Sequence, residues 1–444
     1  MKNLLIMGAG RSATVLIAYL LKQGKRHGYT VTVADADLHA AQRCVAGHNH
    51  GKAVALNVLD DAARRQAVAD HDLVVSMMPP QFHERVAHDC LDLGRHLATA
   101  SYVTPGLKGW HEEVKRRSLV FMNEIGLDPG IDHMSAMQRI DAIRAAGGRM
   151  TGFRSSTGGL VAPESDDHPW HYKLSWNPRN VVLAGRGTAR FLERGIIRYI
   201  PYQRLFRQVQ PISVPGMGEW EVYANRDSLS YREAYGLQEV ETLFRGTIRR
   251  QGFCRAWDAL VKLGLTDDAV TVSGSQALTY AALTEAFLGW EGGRQGSLKT
   301  RLAALLEIEE HGEVMEKLEW LGLLSDRKIG LEEATPAQIL QAILLEKWPL
   351  KAEDRDMVIM QHVFEYEQER KARRLTSTLI VKGNNSVDTA MARLVGLPLG
   401  IFANLLMQGK VSARGVLLPT LPEIYEPVMA ELAEHGVHFV EEEA

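Results

Sequence analysis

The first 125 residues alternate short apolar segments with helical patterns, and this alternation constrains the fold more than any other feature. Six segments read as buried strands: NLLIM (3–7), YTVTVA (29–34), KAVALNV (52–58), LVVSMM (73–78), HLATAS (96–101) and LVFMNEI (119–125). Helical patterns, such as those at 13–23 and 82–94, lie between most of them. Strands that alternate with helices join through right-handed crossovers. The pattern therefore predicts an α/β fold with a parallel sheet covered on both faces.

The pattern changes after about residue 150. Residues 150–250 are mixed, whereas residues 253–347 carry only helical patterns. Residues 356–366 and 375–383 predict two strands of one antiparallel pair, and a short apolar run follows at 416–419. A chain of 444 residues accommodates two or three domains. The helical block is expected to be an insertion in a discontinuous middle domain.

Composition excludes several classes of protein. The chain is 45% hydrophobic and 24% charged with a net charge of −3, which leaves no electrostatic footprint for nucleic acid. Three cysteines without paired spacing indicate a reducing compartment, and sixteen scattered histidines suggest no metal site. The N-terminus suits a first strand better than a signal peptide, and we expect no apolar stretch near the ~20 residues of a membrane span. We therefore expect a cytoplasmic protein that binds neither nucleic acid nor membrane.

A glycine motif follows the first predicted strand. The segment MGAGRSA places Gly8, Gly10 and Ala13 in a G-x-G-x-x-A pattern that opens the helix at 13–23. Such a turn lets the backbone approach a pyrophosphate, which then lies on the helix N-terminus. The strand–turn–helix context favours a Rossmann-like dinucleotide site over a purely structural turn.

Asp35 ends the second predicted strand, about where a ribose-binding acid belongs. A carboxylate there accepts hydrogen bonds from a ribose 2′-hydroxyl and repels a 2′-phosphate. We therefore expect NAD to be preferred over NADP. The alternative is a solvated acid at a strand end, with Arg26 or Arg43 binding the phosphate of NADP.

Further polar groups lie at the predicted carboxyl ends of strands, where open α/β sheets bind ligands. Met78-Pro79 and Ser101-Tyr102 each follow a strand, and Tyr102 is either a rim aromatic or a proton donor and acceptor.

The segment MNEIGLDPGIDH (122–133) concentrates three carboxylates and a histidine in a strand-to-helix corner. Asp132 has a structural explanation as an acid in the first turn of a helix, and Glu124 as an acceptor for backbone amides. Asp128 stands in the predicted crossing between domains, and we expect it to face both nicotinamide and substrate.

Arg226, Arg245 and Arg249 cluster near glycines in the mixed segment. Guanidinium groups bind carboxylates in a forked geometry, so the cluster favours a polyanionic substrate.

Taken together, these strings resemble saccharopine dehydrogenase of the L-glutamate-forming kind, also called saccharopine reductase. The shared strings are GAGRSA (8–13), SYVTP (101–105), MNEIGLDPGIDH (122–133), GGLVAPES (158–165), YKLSW (172–176), NRDS (225–228), RGTIRRQGF (245–253), RDMVIMQH (355–362) and GVLLP (415–419). They extend over essentially the whole chain and keep one order, which a glycine motif alone does not do.

The resemblance implies an enzyme of lysine metabolism in three parts. A Rossmann-like domain is expected at 1–129 plus about 398–444, a mixed α/β substrate and dimerisation domain at 130–252 plus about 348–397, and a small all-helical domain at 253–347. The implied reaction interconverts saccharopine with L-glutamate and 2-aminoadipate 6-semialdehyde by hydride transfer with NAD, or alternatively NADP. A homodimer is implied by the resemblance alone.

The resemblance also implies site residues. Substrate contacts map to Ser101, Tyr102, Arg226, Thr247, Ile248 and Arg249, and the arginine cluster adds Arg245. Cofactor contacts map to Gly8, Ala9, Gly10, Arg11, Ser12, Asp35, Met78, Pro79, Leu127, Asp128, Pro129 and Trp176. Asp128 and Tyr102 are the candidates for proton transfer, with Lys173 in reserve, because a lysine in an apolar cleft has a lowered pKa.

Two positions depart from the family pattern. Fungal members have an arginine-containing stretch after the second strand and use NADP, whereas this chain has Asp35-Ala36-Asp37. They also have a cysteine where this chain has Thr157, which is therefore expected only to line the substrate site. The competing functions are a carboxyspermidine-type dehydrogenase, whose cationic substrate the arginines disfavour, and a non-catalytic NAD-binding scaffold.

Overall fold

A computed structural model of the chain describes residues 2–289 and 295–443. It forms two compact units. The first contains residues 1–149, 368–370 and 379–440, and the second contains residues 150–367, 371–378 and 441–444. The predicted helical block includes residues 290–294, which lie outside the described residues. The division into three domains stays a prediction.

A parallel sheet forms the centre of the first unit. Numbered in chain order, its strands are Lys2–Met7 (β1), Tyr29–Asp35 (β2), Gly51–Ala55 (β3), Leu73–Ser76 (β4), His96–Thr99 (β5), Val120–Met122 (β6) and Gly415–Leu417 (β15). The strand order is β3-β2-β1-β4-β5-β6-β15, and all neighbours run parallel. The order reverses between β1 and β4, which is where doubly wound sheets bind ligands. The predicted α/β fold is confirmed.

Helices cover this sheet. They are Thr14–His27 (α1), Leu38–Val45 (α2), Asp61–Ala69 (α3), His83–Leu93 (α4), Pro105–Gly109 (α5), His111–Arg116 (α6), Ile131–Ala145 (α7), Ala390–Met407 (α16) and Pro422–Glu434 (α17), with 3-10 turns at Arg11–Ala13 and Pro80–Phe82. A Cβ added to Gly396 or Gly400 would lie within 3.0 Å of Leu16 or Tyr19. Small residues on α16 therefore allow it to pack closely on α1.

Helix α16 corrects one expectation. Its 18 residues have a mean hydropathy of 1.6, enough in length and composition to cross a membrane, although the sequence suggested no such stretch. However, 83% of this segment is buried inside the protein. A helix that is apolar on all sides and packed between neighbours is typical of a protein core.

A mixed sheet organises the second unit. Its strands are Arg149–Val161 (β7), Ala189–Glu193 (β8), Ile196–Ile200 (β9), Val209–Val214 (β10), Gly218–Ala224 (β11), Thr242–Arg249 (β12), Asp356–Gln368 (β13), Lys371–Lys382 (β14) and Phe439–Glu443 (β16). The order is β10-β11-β12-β7-β13-β14-β16, and β8 pairs with β12 and β9. A two-residue turn joins β13 to β14, so the predicted antiparallel pair is a hairpin.

Short helices complete this unit. They are Pro178–Val182 (α8), Tyr202–Leu205 (α9), Tyr231–Ala234 (α10), Phe253–Lys262 (α11), Tyr280–Leu288 (α12), Leu298–Leu306 (α13), Glu313–Leu321 (α14) and Pro336–Lys347 (α15), with a 3-10 turn at Pro163–Ser165. Thr335 and Gln338 form a capping box at the start of α15. Helices α11 to α15 make up the described part of the predicted helical block.

Candidate active site

The glycine loop after β1 approaches the backbone that follows β4 closely at Gly8, and it leaves open space at Gly10. Gly8 has a φ of +107°, and its N–H donates to the Ala34 carbonyl oxygen at 2.8 Å. A Cβ added to Gly8 would lie 3.0 Å from the Met77 carbonyl oxygen, whereas one added to Gly10 would meet nothing within 4 Å. Gly8 is therefore required for the turn, and Gly10 leaves room for a ligand over the loop.

The backbone N–H groups that open the following helix are oriented for an anion. The 3-10 turn Arg11–Ala13 and α1 both begin without a side-chain cap, and neither has an acidic residue in its first turn. N–H groups at a helix N-terminus attract negative charge. The predicted contacts Arg11 and Ser12 thus lie on a segment that fits the pyrophosphate of a dinucleotide, whereas the Ala9 N–H donates to Asp35 Oδ2 at 2.7 Å.

We expect Gly8→Ala to weaken binding of a reduced nicotinamide dinucleotide by about tenfold, because the methyl group would displace the loop from the Met77 carbonyl. Fluorescence titration gives the dissociation constant. The control is Gly28→Ala, at the other end of α1, where φ is +74° but nothing lies within 4 Å of an added Cβ. Equal affinity for the two variants would contradict the role assigned to Gly8.

A cavity of about 230 Å³ lies beside the loop, at the carboxyl ends of β1, β2 and β4. Its lining is mainly apolar and includes Met7, Ala34, Leu56, Met78, Pro79 and Phe82. An apolar wall at this edge suits the base of a nucleotide. The predicted contacts Met78 and Pro79 therefore lie in a plausible nucleoside site.

Asp35 also lines this cavity, but its carboxylate is bound to the protein backbone. Oδ2 accepts the Ala9 N–H at 2.7 Å, and Oδ1 accepts the Asp37 N–H at 2.9 Å. Asp35 therefore holds the glycine loop and the turn after β2 in place. This structural role needs no ribose.

Glu124 and His133 form a buried pair that holds the loop after β5. Glu124 Oε2 lies 2.9 Å from His133 Nε2, and Glu124 Oε1 accepts the Val103 N–H at 3.0 Å. The Glu124 N–H donates to the Ser101 carbonyl oxygen at 3.0 Å. Glu124 thus bonds a backbone amide, as the sequence suggested, and it fixes the segment that carries Ser101 and Tyr102.

Asp128 lies in a short loop that is closed by backbone hydrogen bonds. The Gly126 N–H donates to the Pro129 carbonyl oxygen at 2.9 Å, and the Gly130 N–H donates to Asp132 Oδ1 at 2.6 Å. Asp128 is partly exposed, whereas the residues on both sides of it are buried. The loop therefore leaves Asp128 partly accessible. Its role in catalysis stays a prediction.

One face of the sheet in the second unit carries predicted substrate residues. Side chains alternate along a strand, so Arg245, Thr247 and Arg249 of β12 share a face, and Ile248 lies on the opposite one. The parallel register pairs Thr247 with Thr157 of β7, which places Thr157 on the same face. Four of the predicted residues are therefore brought together, and the Ile248 side chain is not.

Arg249 is buried among aromatic side chains. Its guanidinium carbon lies 5.1 Å from the ring centre of Tyr172, 5.7 Å from that of Tyr223 and 5.4 Å from that of Phe253. Nη1 donates to the Ile248 carbonyl oxygen at 2.8 Å, but Nε is buried with no hydrogen-bond partner in the part of the chain that the structure describes. Among the described residues, no carboxylate forms an ion pair with Arg249.

Glu221, paired in register with Arg249, is engaged elsewhere. Its Oε1 accepts the Cys254 N–H at 2.6 Å, and its Oε2 accepts the Gly252 N–H at 3.4 Å, at the start of α11. The Thr157 hydroxyl is also buried without a partner among the described residues. Unpaired buried polar groups are unfavourable. This face therefore has the chemistry to receive an anion.

Arg226 lies in a loop that is held by its neighbours. Its carbonyl oxygen accepts the Arg190 N–H at 2.8 Å, and Asp227 Oδ2 forms an ion pair with Arg190 Nη2 at 2.6 Å. Asp227 Oδ1 accepts the Leu229 N–H at 2.9 Å. These contacts fix the backbone of the NRDS segment, and ligand contacts of Arg226 stay a prediction.

Lys173 differs from the expected lysine in an apolar cleft. Its side chain is buried, and Nζ lies 2.7 Å from Asp354 Oδ2 and 2.9 Å from Asp167 Oδ1. Hydrogen bonds from Lys351 and then Lys173 lower the pKa of Asp167 to about 2. The group is an ion-pair cluster, so Lys173 is not a candidate for proton transfer.

Two polar side chains near the predicted site residues were not singled out from the sequence. Tyr172 Oη accepts the Trp176 Nε1–H at 2.9 Å. His83 lies between Ser76 and Ser101, with ring nitrogens 2.9 Å and 2.7 Å from their hydroxyl oxygens. Tyr172 was noticed only as part of a shared string, and His83 only as part of a helical pattern. Neither is marked by a sequence motif: the Tyr172–Trp176 contact spans four positions, and the His83 contacts depend on how the ends of β4 and β5 meet the start of α4.

Comparison with known proteins gives matches over the full length of the chain. Saccharopine dehydrogenase (NADP(+), L-glutamate-forming) of Schizosaccharomyces pombe is 34% identical over 100% of this chain and 99% of its own length. The Pyricularia oryzae protein of the same name is 35% identical over 98% and 97%. The solved structure described as apo histidine-tagged saccharopine dehydrogenase (L-Glu forming) from Saccharomyces cerevisiae has a TM-score of 0.89 at 34% identity, covering 100% of both chains.

These comparisons correct the expected cofactor preference. The fungal relatives are named for NADP(+), and the family model matching residues 4–122 is described as the saccharopine dehydrogenase NADP binding domain. A nicotinamide cofactor is supported, but a preference for NAD is wrong. Asp35 was assigned to the ribose from its position alone, and in the structure its two oxygens accept the backbone N–H groups of Ala9 and Asp37.

A second family model, described as the saccharopine dehydrogenase C-terminal domain, matches residues 126–437. With the match at 4–122, the two models account for most of the sequence. The resemblance found in the sequence is therefore confirmed, and the chain belongs to the saccharopine dehydrogenase family.

Proposed function

We propose that this chain is an NADP-dependent oxidoreductase that interconverts saccharopine with L-glutamate and 2-aminoadipate 6-semialdehyde in lysine metabolism. The names and coverage of the fungal relatives support the proposal. The structural observation that carries it is Arg249, a buried guanidinium without a carboxylate partner among the described residues, on a sheet face shared with Thr157, Arg245 and Thr247. Saccharopine has three carboxylates, which give such a face its counter-ions.

The proposed roles follow from the chemistry of the substrate. A nicotinamide cofactor held by the glycine loop at residues 8–12 would supply the acceptor for the hydride that leaves the carbon bearing the secondary amine. The resulting imine adds water, and the carbinolamine collapses to an aldehyde and the amine of glutamate. Asp128 and Tyr102 are proposed to exchange the protons of these two steps. Arg226, Arg245 and Arg249 are proposed to bind carboxylates.

Initial rates with saccharopine test the proposal. We expect the purified protein to reduce NADP with release of glutamate, and to do so at a higher kcat/KM than with NAD. Reduced cofactor is followed by its absorbance, and glutamate is assayed separately. Reduction without glutamate, or no reduction by a folded protein that still binds NADPH, would overturn the proposal. A polyamine-derived amine as the active substrate would instead support the carboxyspermidine-type alternative.

We also propose a cytoplasmic homodimer, in line with the family resemblance. The strand β9 supports a self-association surface in the second unit, since Ile196, Ile197 and Tyr199 are 53%, 45% and 60% exposed. Exposed apolar side chains on a strand at the edge of a sheet favour pairing with another chain.

A further inference from the structure

His83 bridges two hydroxyl groups at the ligand-binding edge of the parallel sheet. Its Nδ1 lies 2.9 Å from Ser76 Oγ at the end of β4, and its Nε2 lies 2.7 Å from Ser101 Oγ just after β5. Ser76 and His83 are buried, whereas Ser101 is only partly buried. The chain of contacts thus runs from the core of the first unit to a hydroxyl at its surface.

The direction of these hydrogen bonds follows from which hydroxyl has further partners. Burial lowers the pKa of His83 to about 4, so near neutral pH the ring has one N–H and one lone pair. If Nδ1 carried the proton, it would donate to Ser76 Oγ, and the Ser76 proton would then need another acceptor. Among the described residues, Ser76 Oγ has no such partner. A buried donor without an acceptor is more unfavourable than an acceptor lacking a donor.

The favoured arrangement is therefore a directed chain. Ser76 donates to Nδ1, Nε2–H donates to Ser101 Oγ, and the Ser101 proton points away from His83. We propose that His83 is a positioning residue that fixes Ser101 as a hydrogen-bond donor to a carboxylate oxygen of the amino-acid substrate. This inference rests on the proposed function, because it takes Ser101 as a substrate contact.

Two substitutions of His83 test the roles of its two ring nitrogens separately. The amide nitrogen of glutamine can take the place of Nε2 and still donate to Ser101, whereas that of asparagine reaches only the place of Nδ1. We expect His83→Asn to raise the KM for saccharopine about tenfold with kcat nearly unchanged, and His83→Gln to stay within about twofold of wild type. The KM for NADP is expected to be unchanged in both.

His71→Asn is the matched control. His71 is a second buried histidine of the first unit that bridges two groups, with Nδ1 2.6 Å from the Ala67 carbonyl oxygen and Nε2 2.8 Å from Thr32 Oγ1. It precedes β4, at the other end of the strand from Ser76. We expect His71→Asn to lower the thermal midpoint without changing the KM for saccharopine. If His83→Asn behaved in the same way, its role would be structural and the proposal would be wrong.

A double-mutant cycle of His83 with Ser101 and a determination of the His83 tautomer complete the test. In a Ser101→Ala background, His83→Asn is expected to change the KM no further, whereas additive effects would overturn the proposal. Nitrogen NMR, with His83→Gln to assign the signal, is expected to show the proton on Nε2. A proton on Nδ1 refutes the proposal even if saccharopine is not turned over. Absence of turnover by the wild type would instead refute the proposed function.

Discussion

Replacing Arg249 with methionine is expected to lower kcat/KM for saccharopine by about 100-fold without lowering the thermal midpoint. The loss corresponds to about 3 kcal/mol, roughly two charge-assisted hydrogen bonds to a carboxylate. No such loss is expected in stability, because Arg249 has no carboxylate partner among the described residues and its Nε is buried without a hydrogen bond. Replacing a buried guanidinium that has no carboxylate partner among the described residues with an apolar side chain is expected to be neutral or stabilising.

Arg64→Met provides the matched control for this prediction. Arg64 is also a buried guanidinium, but its Nε lies 2.6 Å from Asp89 Oδ2 and its Nη1 donates to the Val58 carbonyl oxygen at 2.7 Å. Its removal leaves Asp89 buried with Arg65 as its one remaining side-chain partner among the described residues, which is expected to cost about 3 kcal/mol of stability. Initial rates and thermal unfolding should separate the two variants. A midpoint that falls as far in Arg249→Met as in Arg64→Met would show that Arg249 is a structural residue.

Arg249→Lys tests the shape of the group as well as its charge. An ammonium keeps the positive charge but cannot form the forked contact of a guanidinium. We therefore expect most of the loss in kcat/KM to remain. Full recovery by lysine would indicate that Arg249 provides only long-range attraction.

Most strands of the first unit could be predicted because they are nearly continuous apolar runs in a sheet covered on both faces, although the edge strand β3 is only partly buried. The last strand of that sheet could not be found in this way. Residues 415–417 pair with residues 120–122, almost 300 positions earlier, and the pairing spans three residues. Only the family resemblance indicated that C-terminal residues complete the domain.

The positions of site residues were easier to predict than their partners. Asp35 does lie at the end of β2, beside the glycine loop, but its hydrogen bonds to Ala9 and Asp37 depend on the folded turn. Lys173 is indeed buried, but the aspartates that surround it include Asp354, which is 181 positions away. A sequence pattern gives the end of an element, whereas partners depend on tertiary contacts.

The loop around Asp128 leads to the second large prediction. Gly130→Ala is expected to destabilise the first unit by about 4 kcal/mol, because φ is +148° and the added Cβ would lie 2.1 Å from both the nitrogen and the oxygen of Gly126. No side chain can move to relieve this overlap, since both atoms belong to the backbone. Thermal unfolding is expected to show a midpoint roughly 10 °C lower.

Gly94→Ala is the control that distinguishes the effect of atomic overlap from the effect of a positive φ alone. Gly94 also has a positive φ, +67°, but an added Cβ would meet nothing within 4 Å, so we expect a cost of about 1 kcal/mol. Gly130 contributes no side chain to chemistry, so any turnover that Gly130→Ala loses well below its midpoint must come from a displaced loop. Equal midpoints for the two variants would mean that the Gly126–Gly130 contact is not rigid, and the loop could then not hold Asp128 in a fixed position.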